Sequence, residues 1–261
     1  MLKLKNIIKG SFSALINNYK LIWMPMLAEV LFLISFGFFI SPLRNSIGRS
    51  LLNLGDIIIT DSQKGTISLD SLFQSGYFKN IALLSFIAII LSYLLYCVFH
   101  GFIWNFTLNL VSRKKEKYPA YLKKFFLVNT IWFSLLIIYT LFSFIVSYID
   151  ILNQRLNTSF IVLAPFTNLL LVLILYFSFI SYVQIHENRP KAVRNSLLLG
   201  IKRFKVLFYI LLAFALFALI YILVGLINIL SFALFILTGI IVIPFLMLWI
   251  RIFIKKLMDN I

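Results

Sequence analysis

The chain has 261 residues, of which 62% are hydrophobic and only 12% charged, and its mean hydropathy is +1.03. A soluble domain carries about 25% charged residues, so the composition excludes an ordinary water-soluble enzyme and points to a bilayer protein. The formal net charge of +16, from 24 Lys and Arg against 8 Asp and Glu, would suggest a nucleic-acid partner on a soluble chain, so its position along the sequence decides its meaning.

The chain opens on Met1-Leu2-Lys3-Leu4-Lys5, with no short apolar core and small-residue cleavage site after it, so no removable signal peptide is expected. Leu4, Ile8, Phe12 and Leu15 recur at helical spacing with Lys5 and Lys9 on the polar side, which predicts an interfacial helix. Crossing the hydrocarbon core takes about 20 apolar residues. Such runs occur at 21–40, 81–103, 125–149, 160–183, 206–227 and 232–254, predicting an all-α, polytopic membrane protein with six transmembrane helices and no soluble domain. After the first span, Leu43, Ile47, Leu51, Leu54 and Ile58 are again helically spaced, so residues 42–59 are expected on the outer surface, followed by a polar turn around Asp61 to Gly65.

The second apolar run continues to Val111, about 46 Å of helix, so it either projects from the bilayer or bends near Gly101. Tyr118, Leu122 and Phe125 with Lys123 and Lys124 form a short basic stripe before the third span. Between the fourth and fifth, Val193, Leu197, Ile201 and Phe204 oppose Arg194, Asn195, Lys202 and Arg203, with Pro190 placed to start the helix. This is a basic amphipathic helix suited to the inner membrane surface. The last two spans are joined by a short turn around Asn228 and Ser231 and form a hairpin. Pro25, Pro165 and Pro244 fall in or at the ends of spans, where static bends are expected.

Orientation follows from the basic residues beside the spans. Nineteen of them lie before the first span, in the second-to-third and fourth-to-fifth connections, and at the end of the sixth. The other side holds Arg44, Arg49, Lys64, Lys79 and Arg155 against four aspartates. Both termini are therefore expected in the cytoplasm, with the cytoplasmic membrane as the location. Trp23, Trp104, Trp132 and Trp249 fall near the same ends, as interfacial tryptophans would. The charge thus becomes an orientation signal. RNA binding finds no exposed sheet with stacking aromatics, and no nucleic-acid partner is expected.

The order of basic segment, outgoing span, outer connection and returning span recurs, giving possible parallel helical-hairpin repeats at 1–111, 112–183 and 184–261. Glu116-Lys117-Tyr118-Pro119 and Glu187-Asn188-Arg189-Pro190 occupy equivalent places. From Ser181-Tyr182-Val183 through Glu187-Asn188-Arg189-Pro190-Lys191-Ala192-Val193-Arg194-Asn195-Ser196 to Lys202-Arg203-Phe204, the pattern resembles prokaryotic six-helix membrane proteins, including the membrane domain attached to some glycerophosphodiester phosphodiesterases. The resemblance covers the last 80 or so residues in detail and the rest in hydropathy. It implies a membrane module; the phosphodiesterase catalytic domain has no counterpart here.

Glu29 is the only acidic residue inside a predicted span, and intramembrane ionisable groups are costly and often functional. Trp23 and Trp104 place Glu29 and His100 at compatible depths, about 9 and 6 Å, so the two are expected to approach one another, with Asn105 and Asn129 as further members of a polar site. The site is either proton-linked or cation-binding, or a structural contact between helices. Cys97 and His100 share a helix face and with Glu29 could supply three metal ligands, although Cys is ordinarily a small buried hydrophobe, and no metal is predicted. Cys97 is the sole cysteine, so no internal disulfide forms.

His186-Glu187 starts like a zinc-protease motif, but Pro190 stands where the second ligand would be. No aspartate lies in a span and no glycine-rich phosphate loop occurs, so neither catalysis nor a cofactor is expected. The reading is a non-enzymatic module that binds lipid or a protein partner. Arg189, Lys191, Arg194, Lys202, Arg203 and Lys205 are the candidates to meet anionic headgroups, at about 1 kcal/mol each. The alternatives are a small proton-linked permease centred on Glu29 and, third, an intramembrane enzyme.

Overall fold

The computed structural model describes residues 2–63, 75–112, 115–155, 164–186 and 191–260. Among them the chain forms eight helices and no strand: α1 (Leu2–Asn17), α2 (Tyr19–Gln63), α3 (Gly76–Val111), α4 (Tyr118–Arg155), α5 (Ala164–His186), α6 (Ala192–Lys202), α7 (Lys205–Leu230) and α8 (Phe232–Asp259). In lipid no water takes up backbone N–H and C=O groups, so long apolar runs satisfy them within helices. Five helices are long and apolar enough to cross a membrane, over Tyr19–Thr60, Gly76–Val111, Tyr118–Val146, Thr167–His186 and Lys205–Leu226. The chain is a multi-pass membrane protein.

The five above are those counted among the described residues, and the sixth expected span lies within α8. Its C-terminal half carries Arg251, Lys255 and Lys256, and Arg251 and Lys255 are buried against protein there with Trp249, Ile252 and Phe253. Ser231 alone separates α7 from α8, which pack together as a hairpin.

Three local expectations change. Residues 42–59 do not form a helix of their own: α2 runs unbroken for 45 residues through Pro25 and Pro42, about 67 Å. The stripe at Tyr118 to Lys124 is likewise the start of α4, with Tyr121 and Phe125 fully buried. α3 does not break at Gly101; a Cβ there would sit 2.9 Å from Leu122 and 3.3 Å from Phe125, so the glycine allows α4 to approach closely. The α1–α2 joint is a single residue, Asn18, whose side-chain amide donates to the Ala14 carbonyl (2.8 Å) while its own carbonyl accepts from Leu21 and Ile22.

The helices divide into two compact units, Met1–Ala28 with His100–Ile261, and Glu29–Phe99. In the Glu29–Phe99 unit, Phe32 of α2 meets Tyr96 and Phe99 of α3 at ring distances of 6.5 and 6.0 Å. Its outward side chains, among them Ile34, Phe38, Phe86 and Leu94, are exposed and apolar, a surface suited to lipid rather than water.

In the larger unit the C-terminal ends of α3, α5 and α8 form the core. Trp104 of α3 packs on Phe179 (5.8 Å) and Tyr182 (5.3 Å) of α5 and lies under Arg251 of α8 (5.5 Å). Around this core each basic segment leans on one of the three ends. α1 stacks Phe12 on Trp249 of α8 (5.1 Å), the start of α4 sets Tyr118 against Phe102 of α3 (5.6 Å), and α6 packs on α5.

Candidate functional site

α6 has three distinct faces. Ala192, Ser196 and Gly200, four residues apart, are buried and form the seam with α5. Small residues let helices approach closely in membranes, and here a Cβ on Gly200 would fall 2.5 Å from Phe177 and 2.9 Å from Tyr176. The Tyr176 hydroxyl donates to the Gly200 carbonyl (3.1 Å). Trp132 Nε1–H of α4 donates to Ser181 Oγ (3.1 Å), Ser181 Oγ lies 2.8 Å from Ser196 Oγ, and Ser196 donates to the Val193 carbonyl (2.7 Å). This hydroxyl chain ties α4, α5 and α6 together.

The apolar stripe expected to meet the membrane surface is largely uncovered by protein. Leu197, Ile201 and Phe204 are 38%, 68% and 63% exposed, because the small-residue seam takes the contact with α5. Arg194, Lys202 and Lys205 are exposed as well, and Arg203 is half-buried. A helix with one face in protein, one apolar and uncovered, and one basic can sit at a bilayer boundary. Lys191 is exposed and holds a left-handed conformation (φ 59°) just ahead of α6. Arg189 and Pro190 lie outside the described residues.

Glu29 is buried in α2 and opens the smaller unit, to which Cys97 also belongs, whereas His100 belongs to the larger. His100 Nδ1 lies 3.2 Å from Arg251 Nη2. Arginine only donates, so Nδ1 accepts and the ring proton sits on Nε2. Within the larger unit His100 therefore takes a guanidinium as one of its neighbours. Among the described residues no three His, Cys, Asp or Glu side chains gather as metal ligands.

Asn105 and Asn129 are buried and hydrogen-bonded within the larger unit. The Tyr182 hydroxyl donates to Asn129 Oδ1 (2.8 Å), and Asn109 Nδ2 reaches Asn105 Oδ1 (3.4 Å). Asn109 is the pivot. Its Oδ1 accepts from the Glu116 backbone N–H and from His186 Nε2 (both 2.9 Å), and its Nδ2 donates to the Glu116 carbonyl (3.0 Å). It therefore fastens the α3–α4 connection to the end of α5, while Lys124 pairs with the Glu116 carboxylate. The sequence signal for this cluster was the Asn105/Asn109 pair, one helical turn apart, together with the polar residues Ser178, Ser181, Tyr182, Gln184 and His186 in the otherwise apolar α5.

Trp104, Trp132 and Trp249 are buried and only Trp23 of the four is exposed, so those three tryptophans report packing between helices rather than contact with headgroups. No family model, curated protein or solved structure matches the chain.

Proposed function

We propose that this is a non-catalytic module of the cytoplasmic membrane, with α8 as a sixth span and both termini in the cytoplasm, whose basic face binds anionic lipid. The observation that carries the reading is the division of α6 into a buried small-residue seam and uncovered apolar and basic faces. Such a helix is held in place by protein and still has an apolar stripe to enter the acyl boundary and cations to meet phosphates. The 181–204 segment's likeness to phosphodiesterase-linked membrane domains fits a module of this kind. The three-hairpin repeat is supported by the way each basic segment, α1, the start of α4 and α6, leans on the C-terminal end of a returning span.

The test is the thermal stability of the detergent-purified protein with phosphatidylglycerol or phosphatidylcholine added. A ligand that binds only the folded state raises its stability, so phosphatidylglycerol should raise the midpoint more, and high salt should remove the difference. The charge-reversed variant Lys202→Glu/Lys205→Glu should lose much of it. Equal midpoints in both lipids overturn the reading.

A further inference from the structure

A groove of about 720 Å³ opens between the start of α4 and the first turns of α6, both within the larger unit. Its walls are aliphatic: Leu127, Val128 and Ile131 on one side, Val193 and Leu197 on the other. Three cations, Lys124, Lys191 and Arg194, line it as well. Lys124 already holds the Glu116 carboxylate. Lys191 and Arg194 are exposed, and the first turn of α6 carries no acidic residue, so the positive end of the helix dipole adds to their field. A second groove of about 420 Å³, between α1, α7 and α8, is lined by apolar residues and Tyr209 and has no charged residue. Cations among aliphatic side chains therefore distinguish the α4–α6 groove from this second one.

We propose that this groove seats an acyl chain of one anionic phospholipid, with the phosphate held between Lys191 and Arg194. The volume lies within the range of about 300–1,000 Å³ usual for small-molecule sites. Charge complementarity selects the headgroup and the walls select the chain: a soluble anion would leave the apolar walls wet, and a neutral lipid would leave the cations unmatched. The proposal rests on the lipid-binding reading above but goes further, since general surface binding needs no groove.

The full chain is reconstituted in phosphatidylcholine vesicles with a trace of phosphatidylglycerol bearing a photoreactive acyl chain, and labelled peptides are mapped by mass spectrometry. Adducts should concentrate on residues 124–131 and 191–197, about tenfold over the exposed α7 positions Leu219 and Ile222. A phosphatidylcholine probe should show no such concentration. Lys191→Glu/Arg194→Glu should abolish the enrichment, and Val128→Trp, which fills the groove, should do the same without changing α7 labelling. Leu127→Trp, at an exposed position, serves if Val128→Trp fails to insert.

Uniform labelling along α4, α6 and α7, or enrichment that survives both substitutions, overturns the groove. If phosphatidylglycerol still stabilises the protein in that case, only the groove fails; if it does not, the broader lipid reading falls too. Ile131→Cys chains that cross-link to one another while excluding the lipid probe would also overturn it, in favour of a second copy of the chain as occupant.

Discussion

At Gly200 a missing side chain is what lets α6 reach α5, since a methyl group would strike the rings of Phe177 and Tyr176 at 2.5 and 2.9 Å. Tyr176 is fully buried and anchored to the Gly200 carbonyl, so its ring has no room to retreat. Overpacking of this kind costs about 1–3 kcal/mol. Gly200→Ala should therefore lower the thermal midpoint in detergent, whereas Gly225→Ala, where a Cβ meets nothing within 4 Å, should hold or raise it because alanine favours helix. Equal midpoints would show that the α5–α6 seam is looser than the structure has it. Asn109 makes a second test through polar pairing. Asn109→Leu leaves the Glu116 backbone and His186 Nε2 without their partner, at about 1–3 kcal/mol, and the loss should be less than additive with His186→Phe because one network is broken twice. Additive midpoint shifts would mean that the two side chains act independently.

At the scale of the element, α6 makes a prediction about depth. With its seam on α5, the lipid-binding proposal has Ile201 meet the acyl boundary and Lys202 meet water, although the two are neighbours in sequence and both exposed. In a Cys97→Ala chain, an environment-sensitive dye on Ile201→Cys should shift to the blue on reconstitution, and on Lys202→Cys should not; matching spectra would remove α6 from the interface. The same helix shows how far the sequence could be read. Its existence and amphipathicity were legible because apolar residues recur at helical spacing, and so was α1. Which face meets protein was not legible, since in a membrane the apolar stripe has lipid as an equally good neighbour and close packing falls instead to Ala192, Ser196 and Gly200. Hydropathy located the long helices well but could not see that α2 runs on past Pro42, because an apolar stripe at helical spacing looks the same whether or not a turn precedes it. Asn105 and Asn129 were legible as buried polar groups. Their partners Asn109 and Tyr182 were not, because pairing depends on which helices are neighbours, and hydropathy carries no such information.

At the scale of the whole molecule, the parity of membrane crossings links charge, α8 and orientation in one measurement. Five crossings leave the termini on opposite faces; six return them to the same face. Only α8 separates the two cases, and its C-terminal half buries Arg251 and Lys255 against protein. Arg251 lies over Trp104 and against His100, and Lys255 pairs with Asp259, so these cations have partners that ease the cost of placing them at membrane depth. On the six-span proposal, α8 would cross with its C-terminal half sheathed by α1, which stacks Phe12 on Trp249. With six crossings, the 19 basic residues assigned to one side by sequence all fall on the side that the positive-inside rule requires; with five, Arg251, Lys255 and Lys256 would be translocated. Single cysteines at Lys5 and Asn260 in the Cys97→Ala chain should both resist a membrane-impermeant thiol reagent in intact cells and react after permeabilisation, while Lys64→Cys should react in intact cells. Labelling of Asn260→Cys without Lys5→Cys in intact cells would reduce the protein to five crossings and place the end of α8 outside.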